Sequence, residues 1–166
     1  YTSIVLVGGG PTGVELSGAV AEMKKFIFPK DYPELDLSQM RIILYEASGR
    51  LLNGMSKYAG NHAKSYLERL GVEVRLNTMV KDYDGTEIQL SDGTKVLSKT
   101  VIWAAGVKAN AVNGLKSEVF GRAGRLIVNR FNNVIGYDDI YAIGDICYME
   151  TEKHKNGHPP VAQVAI

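Results

Sequence analysis

The sequence is poor in cysteine, with one such residue, Cys147, among 166 positions. A single cysteine excludes an internal disulfide framework and a Cys-x-x-Cys redox pair within the chain. This usage fits a reducing compartment. No apolar run approaches the length of a membrane span, and we find no signal-peptide pattern.

Charge of one sign is not in excess, because 19 basic and 18 acidic residues leave a net charge of +1. No basic stripe predicts nucleic-acid binding, and no like-charge run predicts a tail. Histidine is also scarce. His154 and His158 have i,i+4 spacing, but Gly157, Pro159 and Pro160 argue against the helix that would turn both rings to one metal. We therefore predict no metal site and no Ser-His-Asp arrangement.

Glycine, by contrast, is abundant and concentrated near the start, where Ile4–Val7 runs into Gly8, Gly9 and Gly10. Gly8, Gly10 and Gly13 have the G-x-G-x-x-G spacing, with a strand pattern before them and a helix pattern after them. The first glycine permits a tight turn, the second lets a pyrophosphate approach the backbone, and the third lets the helix pack closely on the strand. The helix N-terminus adds unpaired N–H groups and a positive dipole end. This stretch predicts a dinucleotide site rather than a bland glycine-rich turn.

The helix that begins at Pro11 carries apolar residues at three- and four-residue steps: Leu16, Val20, Met23 and Ile27. We expect this stripe to face the sheet. Pro29 and Pro33 predict the end of the helix, and residues 29–40 are interpreted as a polar loop.

The next strand pattern, residues 41–46, ends in Glu46. A dinucleotide-binding unit places an acid there, which accepts hydrogen bonds from the adenosine ribose. Glu46 lies 33 residues beyond Gly13, and 21 once the 12-residue loop is subtracted, close to the usual spacing of about 20. Its charge would repel a 2′-phosphate and so favours NAD(H) over NADP(H), although Arg50 nearby weakens that argument. The alternative is that Glu46 merely ends a strand.

The remaining pattern predicts a helix capped by Ser56, then a strand at 72–76. Residues 79–99 predict a small antiparallel meander with Asp-Gly turns at 84–85 and 92–93. A fully buried strand at 100–106 with Trp103 in the core follows, and then two short strands at 125–128 and 139–145. The last of these ends in Gly144-Asp145. Residues 161–166 have the pattern of a helix start. The fold class is α/β with a parallel sheet.

Five motifs now stand in a recognisable order: VGGGPTGVE, YEASGRLL, VIWAAGV, IYAIGD and PPVAQVAI. The chain resembles the pyridine nucleotide-disulfide oxidoreductase-like flavoproteins, and in particular the type II (non-proton-pumping) NADH:quinone oxidoreductases. The resemblance implies a three-layer Rossmann-like βαβ parallel sheet with a small antiparallel meander, plus a returning FAD-domain segment. Residues 1–106 would be the NAD(H)-binding domain and 107–166 that segment. Because the chain begins without methionine, we expect it to be part of a longer protein.

The resemblance also implies cofactor-binding roles. Gly8, Gly10 and Gly13, with Pro11 and Thr12 between them, would hold the NADH pyrophosphate, and Glu46 its ribose. Glu15 would lie toward nicotinamide and flavin, although an acid also suits a helix N-terminus electrostatically. Ala105 and Gly106 would lie near the nicotinamide half of NADH. Gly144 and Asp145 would lie near the flavin ribityl chain. Ala162 and Gln163 would lie near the flavin ring and the quinone.

The implied function is transfer of a hydride from NADH to FAD and then of electrons to a quinone, with no catalytic group in the protein. The implied full-length enzyme is cytoplasmic and peripheral on the inner face of the membrane. The segment alone is expected to be inactive and to bind NADH but hardly FAD, and residues 107–166 could form a homodimer. Two alternatives stay open. One is another flavoprotein of this superfamily, a ferredoxin reductase or an NADH oxidase or peroxidase, and the other is a non-enzymatic nucleotide-binding module.

Overall fold

The computed structural model describes residues 3–110 and 112–159. The chain divides into two compact units, Tyr1–Gly106 and Val107–Ile166. Among its described residues, the first unit has three α-helices and seven strands, which are β1 Ser3–Val7, α1 Pro11–Phe26, α2 Phe28–Asp31, β2 Arg41–Tyr45, α3 Lys57–Arg69, β3 Val72–Arg75, β4 Val80–Tyr83, β5 Glu87–Leu90, β6 Lys95–Leu97 and β7 Thr100–Trp103. The described part of the second unit has two short strands, β8 Leu126–Ile127 and β9 Cys147–Tyr148.

The first unit is built in three layers around a parallel sheet with strand order β3-β2-β1-β7. Successive side chains of a strand point to opposite faces. On one face Leu6 and Leu44 pack with Ala21 of α1 and Leu67 of α3. On the other face Val5, Val7 and Ile43 pack with residues of the antiparallel sheet β4-β5-β6. The predicted parallel sheet and antiparallel meander are both confirmed.

Helix α1 turns a different face to the sheet from the one that the apolar pattern predicts. Its buried residues are Gly13, Ser17 and Ala21, whereas Leu16, Met23 and Ile27 are 37–45% exposed. Of the predicted stripe, Val20 packs against the core. Small residues four positions apart let the helix axis lie close to the strands, and this close approach outweighs burial of the larger side chains. The Ser17 hydroxyl is satisfied because it donates to the Gly13 carbonyl at 2.6 Å.

The segment predicted as a polar loop, residues 29–40, is partly helical. It contains most of α2 and a 3₁₀ turn at Leu37–Gln39. Asp36 caps that turn by accepting a hydrogen bond from the Ser38 N–H at 2.9 Å.

The predicted strand at 100–106 is shorter and less buried than expected, since β7 ends at Trp103 and that side chain is 53% exposed. The reason is that β7 is the outermost strand of the sheet, with β1 on one side only.

The second unit has its own core of Val119, Leu126, Val128, Val134, Ala142 and Cys147. The predicted strand at 125–128 is reduced to β8, which pairs in parallel with β9. The predicted strand at 139–145 is not formed. Within it only Tyr141 makes an isolated bridge, and a 3₁₀ turn begins at Gly144. Residues 161–166 lie outside the described part. In the described part, no helix combines the length and apolarity needed to cross a membrane.

Candidate functional site

A cleft of about 440 Å³ lies at the C-terminal ends of β1, β2 and β7. The central strand β1 pairs with β2 on one side and with β7 on the other. In open α/β sheets, ligands bind in the crevice at such a switch point. The cleft brings together five sequence-predicted site residues: Gly8, Gly10, Glu46, Ala105 and Gly106.

Two of the motif glycines are required by close backbone contacts. Gly8 has φ of +109°, and a Cβ there would lie 2.8 Å from the Ala104 carbonyl oxygen. A Cβ on Gly13 would lie 1.8 Å from the Gly8 carbonyl oxygen. Gly10 differs, because a Cβ there would meet nothing within 4 Å. The space beside Gly10 is therefore open to a ligand.

The N-terminus of α1 faces this open space with Gly10 as its N-cap and Pro11 at its first position. Val14 N–H is the first to bond back, to the Gly10 carbonyl at 3.0 Å. The N–H groups of Thr12 and Gly13 precede it and have no helical acceptor, as is general for a first turn. With the positive end of the helix dipole, they can bind a phosphate oxygen.

Glu46 follows β2 and is tied to the glycine loop. One carboxylate oxygen accepts from the Gly9 N–H at 2.6 Å, and the other accepts from the Ser48 N–H at 2.7 Å. An ionised carboxylate has about four lone-pair positions. It can therefore hold these two N–H groups and still accept from ribose hydroxyls.

The family model for pyridine nucleotide-disulphide oxidoreductases matches residues 2–166. The chain belongs to this family.

Among curated relatives, the type II NADH:quinone oxidoreductase Ndh of Mycobacterium tuberculosis is 34% identical over 99% of this chain and 36% of its own length. The type II NADH:quinone oxidoreductase of Haemophilus influenzae is 31% identical, over 98% of this chain and 37% of its own. The chain thus spans little more than a third of these relatives.

Solved structures show the same fold. NDH2 from Plasmodium falciparum in complex with NADH has a TM-score of 0.75 at 23% identity, over 89% of this chain and 32% of that one. A ferredoxin reductase from Rhodopseudomonas palustris has a TM-score of 0.69 at 16% identity, over 99% of this chain and 38% of that one.

Gly9 contacts the candidate site through Glu46, and the motif spacing did not identify it. Its carbonyl accepts from the Leu52 N–H at 2.8 Å, so the N–H and the carbonyl of Gly9 are both bonded to residues that follow β2. A Cβ on Gly9 would lie 2.6 Å from Leu51 and 2.9 Å from the Glu46 side chain. The three consecutive glycines were the available signal.

Arg50, the residue that weakened the argument for NAD(H), is bound elsewhere. Its guanidinium donates to the Asn53 side chain at 2.8 Å and to the carbonyls of Asn53 and Met55 at 2.7 and 3.2 Å. These bonds occupy donors that would otherwise be available to a 2′-phosphate.

The wall of the cleft contains residues that sequence reasoning did not assign to it, namely Tyr45, Thr78, Met79 and Trp103. The Trp103 indole N–H donates to the Ala105 carbonyl at 2.9 Å. Burial raises the pKa of Tyr45 above its ordinary value. Pro11, Thr12 and Glu15 are exposed on the first turns of α1.

The second unit contains Gly144 and Asp145. Gly144 is buried with φ of +72°, and Asp145 is exposed beside it. Cys147 is buried in the core of this unit, and burial raises the pKa of its thiol, which keeps it unreactive. Ala162 and Gln163 lie outside the described residues. Across the described residues, no group of three or more potential metal ligands is found.

Proposed function

We propose that this chain is the NADH-binding part of an FAD-dependent NADH:quinone oxidoreductase. The similarity to type II NADH:quinone oxidoreductases extends over 98–99% of the chain. The proposal rests above all on the open space beside Gly10, where a helix N-terminus faces the cleft and Glu46 stands at the end of the neighbouring strand.

The chain's own residues would bind and orient the electron donor. Gly8, Gly10 and Gly13, with Pro11 and Thr12, would hold the pyrophosphate. Glu46 would hold the adenosine ribose while keeping the Gly9 peptide in place. Ala105 and Gly106 would border the nicotinamide half, and Glu15 would lie on the side of nicotinamide and flavin.

The bound cofactors would supply the chemistry, which is hydride transfer from NADH to flavin followed by reduction of a quinone. Residues 1–106 would form the NAD(H)-binding domain and residues 107–166 a partial returning FAD-domain segment. In that segment Gly144, Asp145, Ala162 and Gln163 would lie on the flavin side. The full-length enzyme would be a peripheral protein on the cytoplasmic face of the membrane.

Fluorescence titration of the chain with NADH and NADPH tests the proposal. We expect NADH to bind at least about tenfold more tightly, a difference of about 1.4 kcal/mol, because the Glu46 carboxylate repels a 2′-phosphate and Arg50 is bound elsewhere. Tighter binding of NADPH would refute it.

A matched pair of variants separates the role of Glu46 from a general effect of charge. Glu46→Gln removes the charge and one acceptor, so NADH should bind more weakly and the preference for NADH over NADPH should shrink. Glu22→Gln makes the same change on the exposed face of α1 and should leave both affinities unchanged.

The purified chain also tests whether it binds NADH alone and not FAD. The sequence contains one G-x-G-x-x-G motif, and it is assigned here to NADH. The purified chain should therefore be colourless and should not retain added FAD on gel filtration. A yellow protein with stoichiometric flavin would contradict the assignment.

A further inference from the structure

A second concave site lies entirely within the Val107–Ile166 unit. This site, the cationic pocket, has a volume of about 490 Å³, and its polar lining residues are Arg122, Arg125, His154, Asn156 and His158. None of the described residues that line it is acidic. Its side chains thus offer two guanidinium groups, two imidazole rings and no carboxylate.

Arg125 is a half-buried guanidinium without a carboxylate partner. It donates to the Asp145 and His158 carbonyls at 3.1 and 3.0 Å, and it takes part in no salt bridge within the described ranges. A guanidinium has five N–H donors in a fork that matches phosphate geometry. Two are used here, so three are left for a ligand.

The Arg125 side chain of the pocket packs against Tyr148. The Arg125 guanidinium lies over this ring at 5.7 Å from its centroid. Gly157 also packs against the Tyr148 ring, since a Cβ on Gly157 would lie 2.6 Å from a ring carbon. The carboxylate of Glu150 accepts from the Tyr148 hydroxyl at 3.0 Å. The guanidinium is therefore positioned without any ligand.

The two histidines close the pocket as a pair. The His154 and His158 ring centroids are 4.3 Å apart, although the segment is not helical. The backbone N–H of His158 donates to the Met149 carbonyl at 3.1 Å, and the backbone N–H of Gly157 donates to the His154 carbonyl at 3.1 Å. These bonds fix the backbone that carries the two rings, and both residues line the pocket with Arg122 and Arg125. The His158 Nε2 atom lies 3.4 Å from the Thr151 hydroxyl oxygen, so one nitrogen of that ring already has a partner.

We propose that the cationic pocket binds a phosphate-type oxyanion. Unpaired guanidinium groups, imidazole N–H donors and the lack of a lining carboxylate all favour a compact ligand with several acceptor oxygens. The ligand is either free phosphate or the phosphate of a lipid headgroup, since both present the same oxygens. This site is separate from the proposed NADH cleft, which is lined by residues of the other unit.

Calorimetric titration of the chain with inorganic phosphate tests the site. Arg122→Gln is the main variant, because the Arg122 side chain is exposed and its loss should not disturb the packing of the unit. We expect phosphate affinity to fall at least fivefold in Arg122→Gln. It should stay unchanged in Arg130→Gln, a matched loss of an exposed arginine outside the pocket. Arg125→Lys keeps the charge but loses the fork, and it should also weaken binding. Urea denaturation followed by circular dichroism should give the same unfolding curve in all three variants, which shows that they are folded.

Cosedimentation with phosphatidylglycerol vesicles distinguishes the two sources. Vesicle binding that is lost in Arg122→Gln and displaced by phosphate supports a lipid headgroup. Phosphate binding without vesicle binding supports a free phosphate. No phosphate binding, or equal affinity in Arg122→Gln and Arg130→Gln, would overturn the proposal.

Discussion

Gly10 and Gly13 belong to one motif but differ in what a side chain would meet. In Gly13→Ala the new methyl would lie 1.8 Å from the Gly8 carbonyl oxygen, so either helix α1 or the glycine loop before it must move. We expect a loss of about 2–3 kcal/mol in the free energy of unfolding, measured by urea denaturation. A loss below about 0.5 kcal/mol would contradict the close packing described for α1 and β1.

Gly10→Ala is the matched substitution with the opposite expected result. Its methyl has no neighbour within 4 Å and the backbone φ is −74°, so stability should change by less than about 0.5 kcal/mol. NADH affinity should fall about tenfold, because the methyl occupies space that the pyrophosphate needs. Fluorescence titration measures this loss, and unchanged affinity would argue against a pyrophosphate at Gly10.

At the scale of elements, the start of α3 depends on one side chain. Ser56 accepts a hydrogen bond from the Ala59 N–H at 3.1 Å, as the sequence predicts for an N-cap. Ser56→Ala should lower the free energy of unfolding by about 1 kcal/mol. Ser65→Ala, on the exposed middle of the same helix, is the control and should be neutral or slightly stabilising. Equal effects of the two substitutions in urea denaturation would exclude the capping role.

Strands β2 and β3 are joined by an ionic clamp that predicts a pH dependence. Glu73 bonds to Arg41 through two donors at 2.7 Å and to Arg75 at 3.0 Å. Chiefly because of the hydrogen bonds from Arg41, the pKa of Glu73 is lowered from 4.5 to about 2. A carboxyl with a lowered pKa stabilises the fold above its unfolded-state pKa, and this contribution is lost as the pH falls through the folded-state value.

The free energy of unfolding should therefore decrease as the pH falls from 4.5 to about 2. The decrease should be less steep in Glu73→Gln. Since the arginines are exposed, the contribution should stay below about 1 kcal/mol. Thermal unfolding of both proteins across this interval measures it. Identical pH profiles would show that the clamp adds nothing to stability.

At the scale of the whole molecule, the second unit exposes large apolar side chains. Phe131, Tyr141 and Ile143 are 79%, 63% and 60% exposed. Such surfaces favour association, so we expect a concentration-dependent homodimer through residues 107–166. Ile143→Ser should raise its dissociation constant about tenfold, measured by light scattering.

Tyr58→Ser is the control for this dimer, because Tyr58 is 78% exposed but lies in the first unit. It should leave association unchanged. A strictly monomeric wild-type chain at high concentration would refute the dimer.

The sequence by itself determined the features whose cause is local. The Asp-Gly turns of the meander, the Ser56 cap and the turn at Gly8 each depend on the conformational freedom or hydrogen bonding of a few consecutive residues. The parallel sheet also followed, because apolar strand patterns alternate with helix patterns and require crossover connections. The ligand roles of the site residues stay predictions until a nucleotide is titrated.

Only the tertiary structure decided which surfaces meet. Apolar periodicity predicts that Leu16 and Met23 of α1 face the sheet, whereas the folded chain buries Gly13 and Ser17 there. The bond between Gly9 and Glu46 joins residues 37 positions apart, and no local pattern contains it. Trp103 is exposed because its strand is outermost, which is a property of strand order and not of residue type. Burial and long-range pairing depend on the neighbours that the fold supplies, and a residue's own chemistry cannot specify them.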